Sequence, residues 1–195
     1  MSNEKNDKLE YKILHGLEKI SDLLKNQLWQ KSHPLKLSPI QAKILNYLLL
    51  NSEKKSTNSK LADELMVTRA TITDSLKLLE SKDFISSEKD PNDKRSSFFS
   101  LTALGKTVAK ETLTYDIELA SSITKLEPQS QEKLYSGLVT FIKELQEYDL
   151  ISAQRICFTC KYYSKNEDQH YCNLLKSELK NTEIQINCPE HEAPQ

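Results

Sequence analysis

Glycine is almost missing from this chain. Three residues, Gly16, Gly105 and Gly137, are scattered over 195 positions, so no glycine-rich loop exists in which consecutive backbone amides could cradle a phosphate. That argues against a nucleotide-binding enzyme. Long apolar runs are missing as well. Nothing approaches the roughly 20 residues needed to span a bilayer, and the opening MSNEKNDKLEYK lacks the apolar stretch of a secretory signal. The expected location is the cytoplasm, with no membrane partner. Neither sign of charge dominates: Lys+Arg number 27 and Asp+Glu 28, a formal net charge of -1. No global basic field announces nucleic acid, and any DNA-binding face must be local. Cysteine is absent from the first three quarters of the chain, and all four residues, Cys157, Cys160, Cys172 and Cys188, fall in the last. In a reducing cytosol clustered cysteines bind metal more often than they pair. This asymmetry places an expected boundary near residue 152, between a main domain (1–152) and a Cys-rich module (153–195).

What is present is mostly helical periodicity. Leu9, Ile13, Leu17, Ile20, Leu24 and Leu28 recur at steps of three and four, one apolar stripe along a long helix that ends before His33-Pro34. A stripe that long wants a partner. Ser38-Pro39-Ile40-Gln41 reads as an N-cap, a proline in the first turn and a capping-box glutamine. Thr57 can cap a short helix carrying Leu61, Ala62 and Leu65; Met66-Val67 breaks it, and Thr68 caps the next, from Arg69 to about Lys82. This is helix-turn-helix spacing. Phe84-Ile85 and Ser97 to Leu101 have strand character, with the polar stretch Glu88 to Arg95 between them as a protruding loop, or wing. From Thr102 a long helix is expected through Leu126, and Glu127-Pro128 separates it from another carrying Leu134, Leu138, Phe141 and Leu145. The fold class is mainly α, a winged helix with a helical dimerisation layer and a small Cys-rich C-terminal module.

On the helix after Thr68, Ile72, Leu76 and Leu79 share the core face, and Ala70, Thr73, Asp74 and Lys77 face away, with Thr71 at the edge. Short polar side chains suit a helix that reads base edges, while Arg69 and Lys77 can reach phosphates. The bland alternative is a solvated helix face.

The segments Leu61-Ala62-Asp63-Glu64-Leu65, Val67 to Thr73, Leu78-Leu79-Glu80, Asp90-Pro91-Asn92-Asp93-Lys94-Arg95-Ser96 and Leu101-Thr102-Ala103-Leu104-Gly105 together resemble the MarR family of bacterial regulators. The resemblance covers roughly residues 8–150 in element order. It implies a homodimer with intertwined N- and C-terminal helices, a recognition helix in the major groove, and a ligand cleft between the DNA-reading and dimerisation layers. It also implies a wing arginine, Arg95, in the minor groove, with Asp93 as its hydrogen-bonding orienter. A narrow minor groove concentrates negative potential and attracts guanidinium; a surface Asp/Arg pair of little consequence is the alternative. The DNA-contacting set is then Thr68, Arg69, Ala70, Thr71, Thr73, Asp74, Lys77, Lys94 and Arg95, on a pseudo-palindromic duplex. Asp74 departs from expectation, because an acidic group facing DNA is costly unless it accepts a bond from a cytosine amino group. Over residues 60–95 seven basic side chains meet eight acidic ones, so nonspecific affinity should be modest.

In the tail, Cys157-Phe158-Thr159-Cys160 is followed by His170-Tyr171-Cys172 and Cys188-Pro189-Glu190-His191. A C-x-x-C turn lets two thiolates converge on one ion, and short linkers can return Cys172 and Cys188 to it. Zinc on four thiolates is the expected cofactor, replacing a core that so short a module cannot build. His170 and His191 compete for places in the set, and Lys161 and Arg155 could offset its excess negative charge. Free thiols or disulfides, an iron–sulfur cluster whose spacing does not match ferredoxin runs, and a redox sensor are the alternatives.

The expected function is a dimeric, sequence-specific regulator responsive to a small ligand, metal or oxidant. A zinc-stabilised protein-interaction adaptor is the second reading. An enzyme is not expected: the His-x-Glu…Pro-Cys-x-x-Cys order of zinc deaminases is absent, and a closed four-thiolate site leaves no place for water.

Overall fold

The computed structural model describes residues 7–194 except 54, 92, 94, 149, 152–154 and 168. The chain divides into two compact units, Met1–Leu119 and Ala120–Gln195. Among the described residues no helix is long and apolar enough to cross a membrane.

The first unit begins with helix α1 (Leu9–Ser32), continued by a 3-10 turn at His33–Leu35. Along its stripe Leu28 is buried, whereas Leu9 is 70% exposed and Ile13 and Ile20 each 52%. Helix α2 (Pro39–Leu50) opens with the expected capping box, the Ser38 hydroxyl accepting from the Gln41 amide and the Gln41 side chain from the Ser38 amide. Helix α3 (Asn58–Leu65) is capped by Thr57 and closed by Met66 in the left-handed region, φ 54°. The Val67 amide then returns to the Ala62 carbonyl, the bond that ends a helix sharply. Thr68 caps helix α4 (Arg69–Ser81).

Strands β1 (Ile85–Lys89) and β2 (Ser97–Leu101) pair antiparallel with Ile85 opposite Leu101 and Lys89 opposite Ser97. Ser56 bridges to Phe99 on the other edge of β2. One core lies beneath, built from Ile44, Leu45 and Leu48 of α2, Leu61 of α3, Ile72, Leu76 and Leu79 of α4, Ile85, and Val108 and Ala109 of the next helix.

That helix, α5 (Ala103–Thr112), starts against the residue that precedes β1, so closely that a Cβ on Gly105 would lie 1.8 Å from the Phe84 carbonyl oxygen. Only glycine fits there. The single helix expected from Thr102 to Leu126 is instead broken: α5 ends at Thr112, a 3-10 turn spans Leu113–Asp116, and α6 covers Ile117–Ile123. The Thr112 and Thr114 hydroxyls each bond a carbonyl three residues back, Ala109 and Glu111, a pattern that competes with the regular helix ladder. Thr112 is also tied to Asn46 of α2, its hydroxyl donating to Asn46 Oδ1 at 2.7 Å.

The second unit carries helix α7 (Pro128–Glu147), a 3-10 turn at Cys157–Thr159 and a three-stranded antiparallel meander, β3 (Tyr163–Asn166), β4 (Gln169–Cys172) and β5 (Ser177–Leu179). Val139 of α7 packs in one apolar cluster with Cys157 and Ile184, and the Tyr135 hydroxyl donates to the Ile184 carbonyl. The compact unit therefore takes in α7, and its edge lies well before the boundary expected near residue 152.

Candidate nucleic-acid interface and cysteine cavity

Helix α4 presents two unlike faces. Ile72, Leu76 and Leu79 are at most 3% exposed, and Arg69, Ala70, Thr71, Asp74 and Lys77 are exposed, as is the cap Thr68. The threonines differ from one another. Thr68 accepts from the Thr71 amide, and the two hydroxyls lie 2.9 Å apart. Thr73 is half-buried; its hydroxyl donates to the Arg69 carbonyl and accepts from the Asn58 side-chain amide, both at 2.8 Å. Of the expected base-reading threonines, Thr73 thus serves to lock α4 onto α3. Asn58 went unnoticed in the sequence because an asparagine in the first turn of a helix reads as a local capping residue.

At the wing, Asp90 donates its amide to the Ser96 carbonyl at 3.1 Å, closing the loop. The Asp93 carboxylate accepts from the Arg95 backbone amide at 2.9 Å, and the Ser96 amide bonds the Asp93 carbonyl. Asp93 orients the backbone that carries Arg95, a turn-forming role natural to aspartate. Arg95 itself is exposed. Lys94 lies outside the described residues.

In the second unit Cys157, Cys160, Cys172 and Cys188 line one cavity of about 60 Å³, together with Tyr163, Leu174 and Leu179. All four are free thiols. The 3-10 turn brings the first two together, the Cys160 amide bonding the Cys157 carbonyl. Cys172 enters from the end of β4, and Cys188 is set by its amide on the Arg155 carbonyl at 2.7 Å. The Gln185 amide points at Cys157 Sγ, 3.2 Å away. Burial pushes the Cys157 thiol pKa up; the Gln185 bond opposes that, and Cys188, Cys160 and Cys172 add to the rise through their charge. Neither histidine lines the cavity. The His170 ring bonds the Tyr163 hydroxyl at 2.6 Å, and the His191 ring bonds Thr159 at 2.9 Å. Lys161 is ion-paired with Glu192, and Arg155 donates twice to Asn187 Oδ1.

Among the described residues no three His, Cys, Asp or Glu side chains are arranged, as they stand, to hold an ion. The residue types nevertheless fit a thiophilic divalent metal: four cysteines line one small cavity, and a backbone amide is directed at the sulfur of one of them, the kind of outer bond that orients a metal-binding thiolate.

Residues 37–97 match the model of the MarR family. The transcriptional regulator AdcR of Streptococcus pneumoniae serotype 2 is 34% identical over 104 residues, which are 49% of this chain and 70% of the relative. The transcriptional regulator ZitR of Lactococcus lactis subsp. cremoris is 29% identical over 113 residues, 58% of this chain and 76% of that protein. The crystal structure of the S. aureus MepR–DNA complex superposes with a TM-score of 0.60 at 23% identity, covering 67% of this chain and 96% of that one. At that identity the likeness speaks for the fold.

Proposed function

This chain belongs to the MarR family, and from that membership we propose that it is a homodimeric transcription regulator that reads pseudo-palindromic duplex DNA through α4 and the wing. Like its relatives, it is a transcription regulator and not an enzyme. The observation that carries the DNA reading is the outer face of α4, exposed opposite a fully buried core face, with Arg95 exposed at a loop that its own Asp93 shapes. Arg69 and Lys77 supply phosphate contacts, and Arg95 enters the minor groove. The dimer covers apolar side chains that the single chain leaves in water, Leu9, Ile13 and Ile20 of α1 among them. Such a regulator works in the cytoplasm, where it meets chromosomal DNA. The test is a titration of duplex DNA at several salt concentrations, which should show salt-dependent binding of two chains per duplex; an adaptor that binds only protein would leave the duplex unshifted.

The Cys-rich module fits zinc, held by Cys157, Cys160, Cys172 and Cys188, which line its cavity. When bound, the metal supplies a cross-link that takes the place of a larger apolar core. Metal analysis of the purified protein tests this: one zinc per chain in a colourless protein supports it, and a brown protein containing iron points to the cluster instead.

A further inference from the structure

Asp74 is exposed on the outer face of α4. At 3.6 residues per turn, Ile72 and Leu76, each two residues away, stand about 200° around the helix from it, and both are buried. Ala70 and Thr71 one turn before, and Lys77 and Leu78 one turn after, are all exposed and ring it. The hydroxyls that would ordinarily share base reading already bond within the chain. Thr73 is held by Asn58 and the Arg69 carbonyl, and Thr68 and Thr71 are held by each other. Among the described residues the Asp74 carboxylate makes no hydrogen bond or ion pair. Ala70 has no hydrogen-bonding side chain, and Leu78 is apolar and 52% exposed.

We propose that Asp74 is the principal base-reading side chain of this regulator and selects cytosine at one position in each half-site; this rests on α4 being the major-groove helix. An ionised carboxylate accepts hydrogen bonds and donates none. In the major groove guanine offers the acceptors N7 and O6, and thymine the acceptor O4, so each repels it. Adenine offers the N6 donor with the N7 acceptor beside it. Cytosine offers the N4 amino donor flanked by an acceptor on one side only, the O6 of its paired guanine, whereas adenine N6 lies between N7 and the O4 of thymine, so cytosine is the base a carboxylate accepts best. Lys77, one turn on, lies where it can contact the phosphate flanking that base pair and offset the carboxylate's repulsion by the backbone.

The experiment is duplex selection from a random library with the full-length protein and with Asp74→Asn and Asp74→Ala, each variant first matched to the parent in thermal melting and dimer mass. The parent should enrich cytosine at one symmetric position, by about tenfold or more over the other bases. Asp74→Asn should move that position toward adenine, whose N6 and N7 suit an amide, and Asp74→Ala should erase the preference there while leaving the rest of the site. The same selected sequence from all three proteins overturns the proposal, as does uniformly tighter binding of every duplex by Asp74→Ala, which would make the carboxylate merely repulsive. A parent that selects no sequence at all defeats the DNA-reading assignment itself, a result separable from the other two.

Discussion

The Asn58 side-chain amide donates to the Thr73 hydroxyl at 2.8 Å, joining the first turn of α3 to the middle of α4. This bond adds to the core packing of Leu61 against Ile72 and Leu76 in holding α4 on α3. Asn58→Ala should therefore weaken duplex binding and lower stability by about 1 kcal/mol, the usual net value of such a bond, without changing which sequence is preferred. Binding titrations and urea unfolding of the variant check both parts; a changed sequence preference would place Asn58 at the DNA.

Gly105→Ala should be among the most damaging single substitutions. Its Cβ would meet the Phe84 carbonyl at 1.8 Å, and backbone must move to admit it. A loss of at least about 2 kcal/mol is expected from overpacking of this kind, read as a fall in the urea midpoint at unchanged slope.

Arg95 is exposed and tethered through its backbone amide to Asp93. Arg95→Ala should reduce operator affinity while leaving the melting temperature unchanged. Asp93→Ala should reduce affinity too, because the turn that carries Arg95 loses its hydrogen bond. Parental affinity in Arg95→Ala would remove the wing from the mechanism.

Cys172→Ser should abolish zinc binding and lower the thermal stability of the Cys-rich module, since the remaining thiols no longer close a four-thiolate site. Chelation of the parent protein should have the same effect on melting. Zinc content unchanged in the variant would show that Cys172 is not a ligand, and would return His170 to consideration.

Much of the first unit could be read from the sequence because its signals are local. Ser38 and Gln41 cap α2 as their spacing requires, Thr68 caps α4, and Ile72, Leu76 and Leu79 bury the face their periodicity marks. What escaped depends on residues far apart in the chain. The break after Thr112 is set with Asn46, sixty-six positions earlier. The commitment of Thr73 is set by Asn58. The meander β3–β5 has little apolar alternation to announce it, and the turns at Glu167 and Lys176 take positive φ without glycine. The cysteine positions alone pointed to that module, and the cavity they line collects all four.

The central claim is that a chain with no net basic charge reads duplex DNA locally, as a symmetric dimer, through α4 and the wing. Protection of a selected duplex against hydroxyl-radical cleavage tests it most directly. Two protected half-sites centred about 10–10.5 base pairs apart or a multiple of it, related by a two-fold axis and occupied by two chains, are the predicted result. A single unsymmetrical footprint, or no protection at any salt concentration, would contradict it.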